Sequence, residues 1–295
     1  MLNVKCFITN FAKKMINKTL LFISIVLGST MKTCDEKLSL SAETLKAKAQ
    51  NDTEQQRPET KDNDCASQAL VIDSFATAPA KASKVQFLHR EAYTVCYNAD
   101  SRLPHWVGWR LTADHISGPY KRGGIKFQED GEVPAPRATD TDYRNSGYDR
   151  GHMCPSGDNK WSETAQRESF LFTNICPQTH NLNAGDWNEM EQQCRRWAEQ
   201  FGDIYIVCGP ILYRTKHKTI GKNKVVVPEA FFKVVLRLGD NPKAVGFIYK
   251  NADGNRPKGD YVNSIDQVER ITGIDFFPTL PDSIEQRVEA EAELL

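Results

Sequence analysis

Hydrophobic and polar residues follow two different periods along the chain, and each period predicts its own kind of element. Strand-length apolar or alternating runs occupy residues 93–97 and 106–111, with Asn98-Ala99-Asp100 between them and Ser117-Gly118-Pro119 beyond. Residues 204–208 read as a buried strand closed by Gly209-Pro210, and residues 225–227, 231–238 and 244–249 follow at hairpin-like spacing. Helical spacing is confined mainly to residues 186–201 and 264–272, the second opened by Ser264 with Gln267 three positions on, a capping box. Strands outnumber helices, do not alternate strictly with them and show no internal repeat. The pattern therefore predicts an α+β domain on a mostly antiparallel sheet core.

Outside that domain the texture changes. An apolar run at residues 20–28 follows Lys13, Lys14 and Lys18 and precedes the small residues Ser29 and Thr30, the order of an export leader. The run is too short to span a bilayer as a helix, so no stable membrane span is expected. Residues 1–34 are read as a signal peptide or lipoprotein signal, with Cys34 open to lipid anchoring and a periplasmic or extracellular destination. Residues 35–83 are rich in Lys, Glu, Asp, Gln, Ser and Thr and are expected to form a disordered polar linker. The folded domain is expected over residues 84–281, followed by an acidic C-terminal tail at 282–295.

Composition narrows the chemistry. Lys+Arg and Asp+Glu both number 38, so no global positive field attracts polyanions, and any phosphate partner must be met by local clusters. Without the leader and Cys34, six cysteines remain at positions 65, 96, 154, 176, 194 and 208. An even count in an exported chain permits disulfides and selects no pairing, while the lack of CxxC and HxxxH pairs argues against structural zinc.

The candidate chemistry lies in Asp149-Arg150-Gly151-His152 and in Asn183, Trp187, Glu191 and Arg195, which recur every four residues. Histidine takes a proton near neutral pH, and Asp149 or a nearby carbonyl could fix its tautomer. Four-residue steps place adjacent members on one helical face. A structural histidine and an amphipathic helix carrying a Glu191-Arg195 pair explain most of this blandly, and Trp187 reads as core. They do not explain Asn183 at the polar start of the stripe. An amide oxygen suits Mg²⁺, which takes few protein oxygens and keeps its waters. Glu191 would then orient a metal-bound water, and Arg195, Arg150 and Arg122 would neutralise phosphate charge. Arg214, Lys216, Lys218, Lys222 and Lys224 cluster in a hairpin loop, and both a phosphate-tracking and a merely solvated role stay open.

These residues resemble the DNA/RNA non-specific endonucleases of the ββα-metal (His-Me finger) group. That family's DRGH motif matches Asp149 to His152, and its N-x-x-P-Q, L-N and W-x-x-x-E motifs match Asn174 to Gln178, Leu182-Asn183 and Trp187 to Glu191. The resemblance runs over residues 87–281, about two thirds of the chain; Met153-Cys154-Pro155 departs from the alanine-rich sequence usual after DRGH. It implies a ββα-metal finger active site with His152 as general base and Asn183 as Mg²⁺ ligand, and leaves substitution by Mn²⁺ open. It also implies DNA and RNA substrates and 5′-phosphate products, and leaves a homodimer and an inhibitor protein open. The alternative is an inactive nucleic-acid-binding protein on the same fold, against which the intact His152, Asn183 and Glu191 speak.

Overall fold

β-Branched and aromatic side chains at alternating positions favour pleated, buried strands, and here they build one large sheet. In the computed structural model of the protein, residues 74–252 and 254–295 are described; the segment read as a leader, Cys34, Cys65 and the polar stretch to residue 73 lie outside them. The strands in chain order are β1 (Val85–His89), β2 (Thr94–Asn98), β3 (Leu103–Leu111), β4 (Asp149–His152) and β5 (Ile175–Gln178). They continue with β6 (Ile204–Ile211), β7 (Thr219–Ile220), β8 (Val225–Val226), β9 (Ala230–Arg237), β10 (Lys243–Lys250) and β11 (Val262–Asn263). Seven of them form an antiparallel sheet in the order β1-β2-β3-β6-β9-β10-β11, while β4-β5 and β7-β8 pair separately.

The central strand β9 explains the layering. Phe231 and Val235 join the apolar cluster on one face, and Phe232, Val234 and Leu236 join the cluster on the other. Both faces of the sheet are therefore covered, and the strand reads as a continuous apolar run broken only by the fully buried Lys233. The Asn188–Phe201 helix packs Met190, Cys194, Trp197 and Ala198 on the first face, where the site lies. It stops at Gly202, whose φ of +86° suits glycine, with the Gly202 N–H donating to the Ala198 carbonyl. The Ile265–Thr272 helix covers the second face through Ile265 and Val268, and it carries the Ser264/Gln267 capping box that the sequence predicts.

Two segments behave differently from expectation. Residues 282–290, read as acidic tail, form the Asp282–Ala290 helix, because Val288 and Ile284 lie one turn apart and pack on the second cluster. The end of the stretch read as linker also touches the fold: Ala76 is buried and bridges to Phe276, and the Thr77 carbonyl accepts from Trp106 Nε1 at 2.8 Å. Cys96, Cys154, Cys176, Cys194 and Cys208 are unpaired buried thiols, so the disulfides that the even count permits do not form among them. Among the described residues no helix is long and apolar enough to cross a membrane.

Candidate active site

The site grows from the β4–β5 hairpin, which pairs Asp149 with Gln178 and His152 with Ile175. The glycine of the tetrapeptide has a steric reason. A Cβ on Gly151 would lie 2.1 Å from Gln178 Oε1, because the buried Gln178 side chain crosses the strand there. Beyond His152, Asn174 pins the chain: its Oδ1 accepts from the Cys154 N–H at 2.9 Å and its Nδ2 donates to the Cys154 and Ser169 carbonyls at 2.8 Å.

His152 is buried, with its ring 5.3 Å from that of Phe127 and 5.0 Å from that of Phe170. Its carbonyl accepts from Trp187 Nε1 at 3.1 Å, and its Nε2 has no partner. Burial, aided by the nearby Arg122 guanidinium, pushes its pKa down to about 3, so the imidazole is unprotonated at pH 7, with a ring nitrogen open to a proton. The expectation that Asp149 fixes the His152 tautomer is not met. Asp149 Oδ2 instead accepts from Asn183 Nδ2 at 3.0 Å and pairs with His180 Nδ1 at 2.9 Å.

The four-residue stripe is not one straight helix. Residues Asn183–Trp187 form a widened π-type turn, and Gly185 leaves helical geometry at φ −100°, ψ −112° before the Asn188–Phe201 helix begins. Such turns are frequent at functional sites, and here the turn separates the placement of Asn183 from that of the helix. Trp187 is fully buried, in agreement with its reading as core. Glu191 and Arg195 follow one turn apart on the regular helix.

The guanidiniums are individually held. Arg195 donates from Nη1 to Asp158 Oδ1 at 2.9 Å and lies across Gly157, where a Cβ would come within 2.8 Å of Nη1. Burial alone would weaken the Arg195 cation, but the Asp158 carboxylate raises its pKa. Arg150 pairs with Asp140 Oδ1 at 2.7 Å and lies 5.6 Å from the Phe127 ring and 5.7 Å from that of Tyr143. Arg122 is exposed, sits 5.5 Å from the Phe170 ring, and forms no ion pair among the described residues. Burial pushes the Glu191 carboxyl up to about 7, with the Lys233 ammonium opposing the shift.

All six predicted site residues, Arg122, Arg150, His152, Asn183, Glu191 and Arg195, line one open cleft of about 710 Å³. Sequence reasoning missed the groups behind them. Asp158 takes Trp109 Nε1 at 3.1 Å as well as Arg195, and Lys233 Nζ sits 4.3 Å from the Trp187 ring and 5.3 Å from that of Trp109. A lysine within an apolar strand run was the one available signal.

Residues 73–283 match the family described as DNA/RNA non-specific endonuclease. The chain is 36% identical over 208 residues to the mitochondrial nuclease EXOG of Danio rerio, covering 64% of this chain and 60% of that protein. It is 34% identical over 209 residues to mitochondrial endonuclease G of Homo sapiens, covering 66% and 70% respectively. A crystal structure of an EndoG/EndoGI complex aligns with a TM-score of 0.65 at 27% identity, over 68% of this chain and 89% of that one. The chain thus spans less than two thirds of the length of the EXOG relative.

Proposed function

Because the chain belongs to the DNA/RNA non-specific endonuclease family, we propose that it is a metal-dependent endonuclease that hydrolyses phosphodiester bonds of both DNA and RNA. One observation carries the reading: six residues from four separate parts of the chain converge on one cleft, with an imidazole held neutral among three guanidiniums.

His152 acts as general base. Its unpartnered Nε2 takes a proton from water as the water oxygen bonds to phosphorus and the bond to the leaving 3′ oxygen breaks. Arg122, Arg150 and Arg195 stabilise the charge that collects on the pentacoordinate phosphate, and Asp140 and Asp158 hold two of them in place. Glu191 orients water from the helix wall. Asn183 suits a hard divalent cation, Mg²⁺ or in its place Mn²⁺. Its nitrogen is engaged by Asp149, which leaves the carbonyl oxygen as acceptor, and oxygen is the donor such ions take. Such an ion supplies Lewis-acid stabilisation of the departing oxygen.

The leader at residues 1–34 supports export to the periplasm or beyond, although two relatives are named mitochondrial. A similar structure is of an EndoG/EndoGI complex, so the reading includes an inhibitor protein among the partners. Nicking of supercoiled plasmid and degradation of RNA should both require Mg²⁺, cease in EDTA and be lost in His152→Ala. Cleavage that persists in EDTA, or in His152→Ala, would overturn the mechanism.

A further inference from the structure

Strand alternation puts Arg150 and His152 on one face of β4, roughly 6.5–7 Å apart, and Tyr148 immediately precedes the strand, two residues before Arg150. That spacing is close to the separation of neighbouring phosphates on an extended nucleic-acid strand. Arg150 and His152 line the cleft, and Tyr148 carries a further cation: Lys218 Nζ lies 3.2 Å from its hydroxyl and 4.8 Å from its ring centroid.

Lys218 belongs to the β7–β8 hairpin, which is docked on the segment leading into β4. The Asn223 N–H and Nδ2 donate to Asp142 Oδ1 and Oδ2 at 2.9 and 2.8 Å, and a Cβ on Gly221 would lie 2.2 Å from Asp142 Oδ1. The base of the loop is tied as well. Glu229 accepts from the Tyr213 N–H at 3.2 Å and pairs with His217 Nδ1 at 2.9 Å. This is a rigid projection with both nearby carboxylates engaged inward.

Its outer side is cationic only. Arg214, Lys216, Lys218, Lys222 and Lys224 are exposed, no acidic residue occurs from Leu212 to Pro228, and none of the five forms an ion pair among the described residues. In a chain whose charges balance at 38 against 38, that is a local concentration of positive charge. Tyr213, 53% exposed with the Arg214 guanidinium 6.0 Å from its ring, adds a stacking platform of the kind single-stranded bases use. A solvated loop would need neither the clamp on Asp142 nor the placement of Lys218 on the row that leads to His152.

We propose that this hairpin is a phosphate-tracking wing: it binds the nucleic-acid backbone beyond the phosphate that is cut, continuing the row His152, Arg150, Tyr148–Lys218. The proposal rests on the reading of the cleft as a nuclease site, and it assigns the wing to affinity for long substrates rather than to chemistry.

Two measurements on the full chain separate the two claims. The first is binding of a fluorescent DNA duplex against salt in EDTA, where no cleavage is expected; the second is Mg²⁺-dependent hydrolysis of a p-nitrophenyl nucleotide diester with a single linkage. The variant combines Lys216→Gln, Lys222→Gln and Lys224→Gln and leaves Lys218 on Tyr148. Each lost phosphate contact should flatten the slope of log K against log salt by about 0.9, and duplex affinity near 0.1 M salt should fall about ten- to a hundredfold. Diester hydrolysis should stay within about twofold. An unchanged affinity and slope would overturn the wing, as would an equal loss on the duplex and on the diester. A wild-type protein that binds duplex through the wing yet hydrolyses nothing with Mg²⁺ would refute the nuclease reading and leave the wing standing.

Discussion

Asn183 donates its side-chain nitrogen to Asp149 Oδ2 at 3.0 Å, so the aspartate of the Asp149-Arg150-Gly151-His152 motif holds the amide proposed as metal ligand and not the imidazole proposed as base. Removing it with Asp149→Ala frees the amide to turn. The Mg²⁺ concentration for half-maximal activity should rise about 10–100-fold, the usual cost of losing a partner that orients a ligand. A metal titration of plasmid cleavage tests this. An unshifted midpoint with a lower plateau would return Asp149 to a role on His152.

The pH dependence should belong to Glu191. Burial raises its carboxyl to about 7, so the carboxylate proposed to orient water accumulates as pH rises through that value. kcat/KM should climb across this window, and Glu191→Gln should retain a low, flat profile. His152, pushed down to about 3, adds no limb there. The stability sign is the reverse. The folded chain holds the Glu191 proton more tightly than the unfolded one, so its stabilising contribution is lost as pH rises through about 7.

Lys233 supplies a second handle on the same limb. Its ammonium lies buried on the Trp187 ring, has no hydrogen-bond partner, and favours ionised Glu191. Lys233→Met removes that attraction, so the rise in kcat/KM should move to higher pH, with urea unfolding showing the variant still folded. A limb that stays near 7 would show that Lys233 is packing alone.

Gly151→Ala should test the crossing of Gln178. The new methyl has no room against Gln178 Oε1, and overpacking of this kind costs typically about 1–3 kcal/mol. Shortening the obstruction with Gln178→Ala in the same chain should recover most of that loss in urea melts. Two losses that simply add would place the strain elsewhere.

Arg195→Ala strands the Asp158 carboxylate, whose side chain is only 1% exposed, and loss of one partner from such a pair costs about 3–5 kcal/mol. Adding Asp158→Asn removes the stranded charge. The double variant should regain stability without regaining nuclease activity, which denaturation and plasmid assays read separately.

What could be read in the sequence was what short-range pattern encodes. Strands at residues 204–208, 231–238 and 244–249, the Ser264 cap and the buried Trp187 all follow from period and local chemistry. Contacts between distant positions were not legible. Asp158 meets Arg195 and Trp109 only because a 3-10 turn at Ser156–Asp158, the sheet and the Asn188–Phe201 helix bring residues 109, 158 and 195 together, and no spacing announces that. The four-residue stripe carried Asn183 onto one helical face with its neighbours, and the break at Gly185 follows from freedom that a missing side chain allows. The Asp282–Ala290 helix was hidden by acidic composition, which outweighed the sparse apolar pair Ile284 and Val288.

The buried thiols bear on where such a domain can work. Burial pushes Cys96, Cys194 and Cys208 up to about 12, far from the thiolate that reacts with oxidants or other sulfurs. These thiols act as small core residues, indifferent to glutathione and to oxidising fluid alike. The described interior therefore draws no cohesion from a disulfide, and neither a reducing nor an oxidising medium finds an S–S bond in it to break.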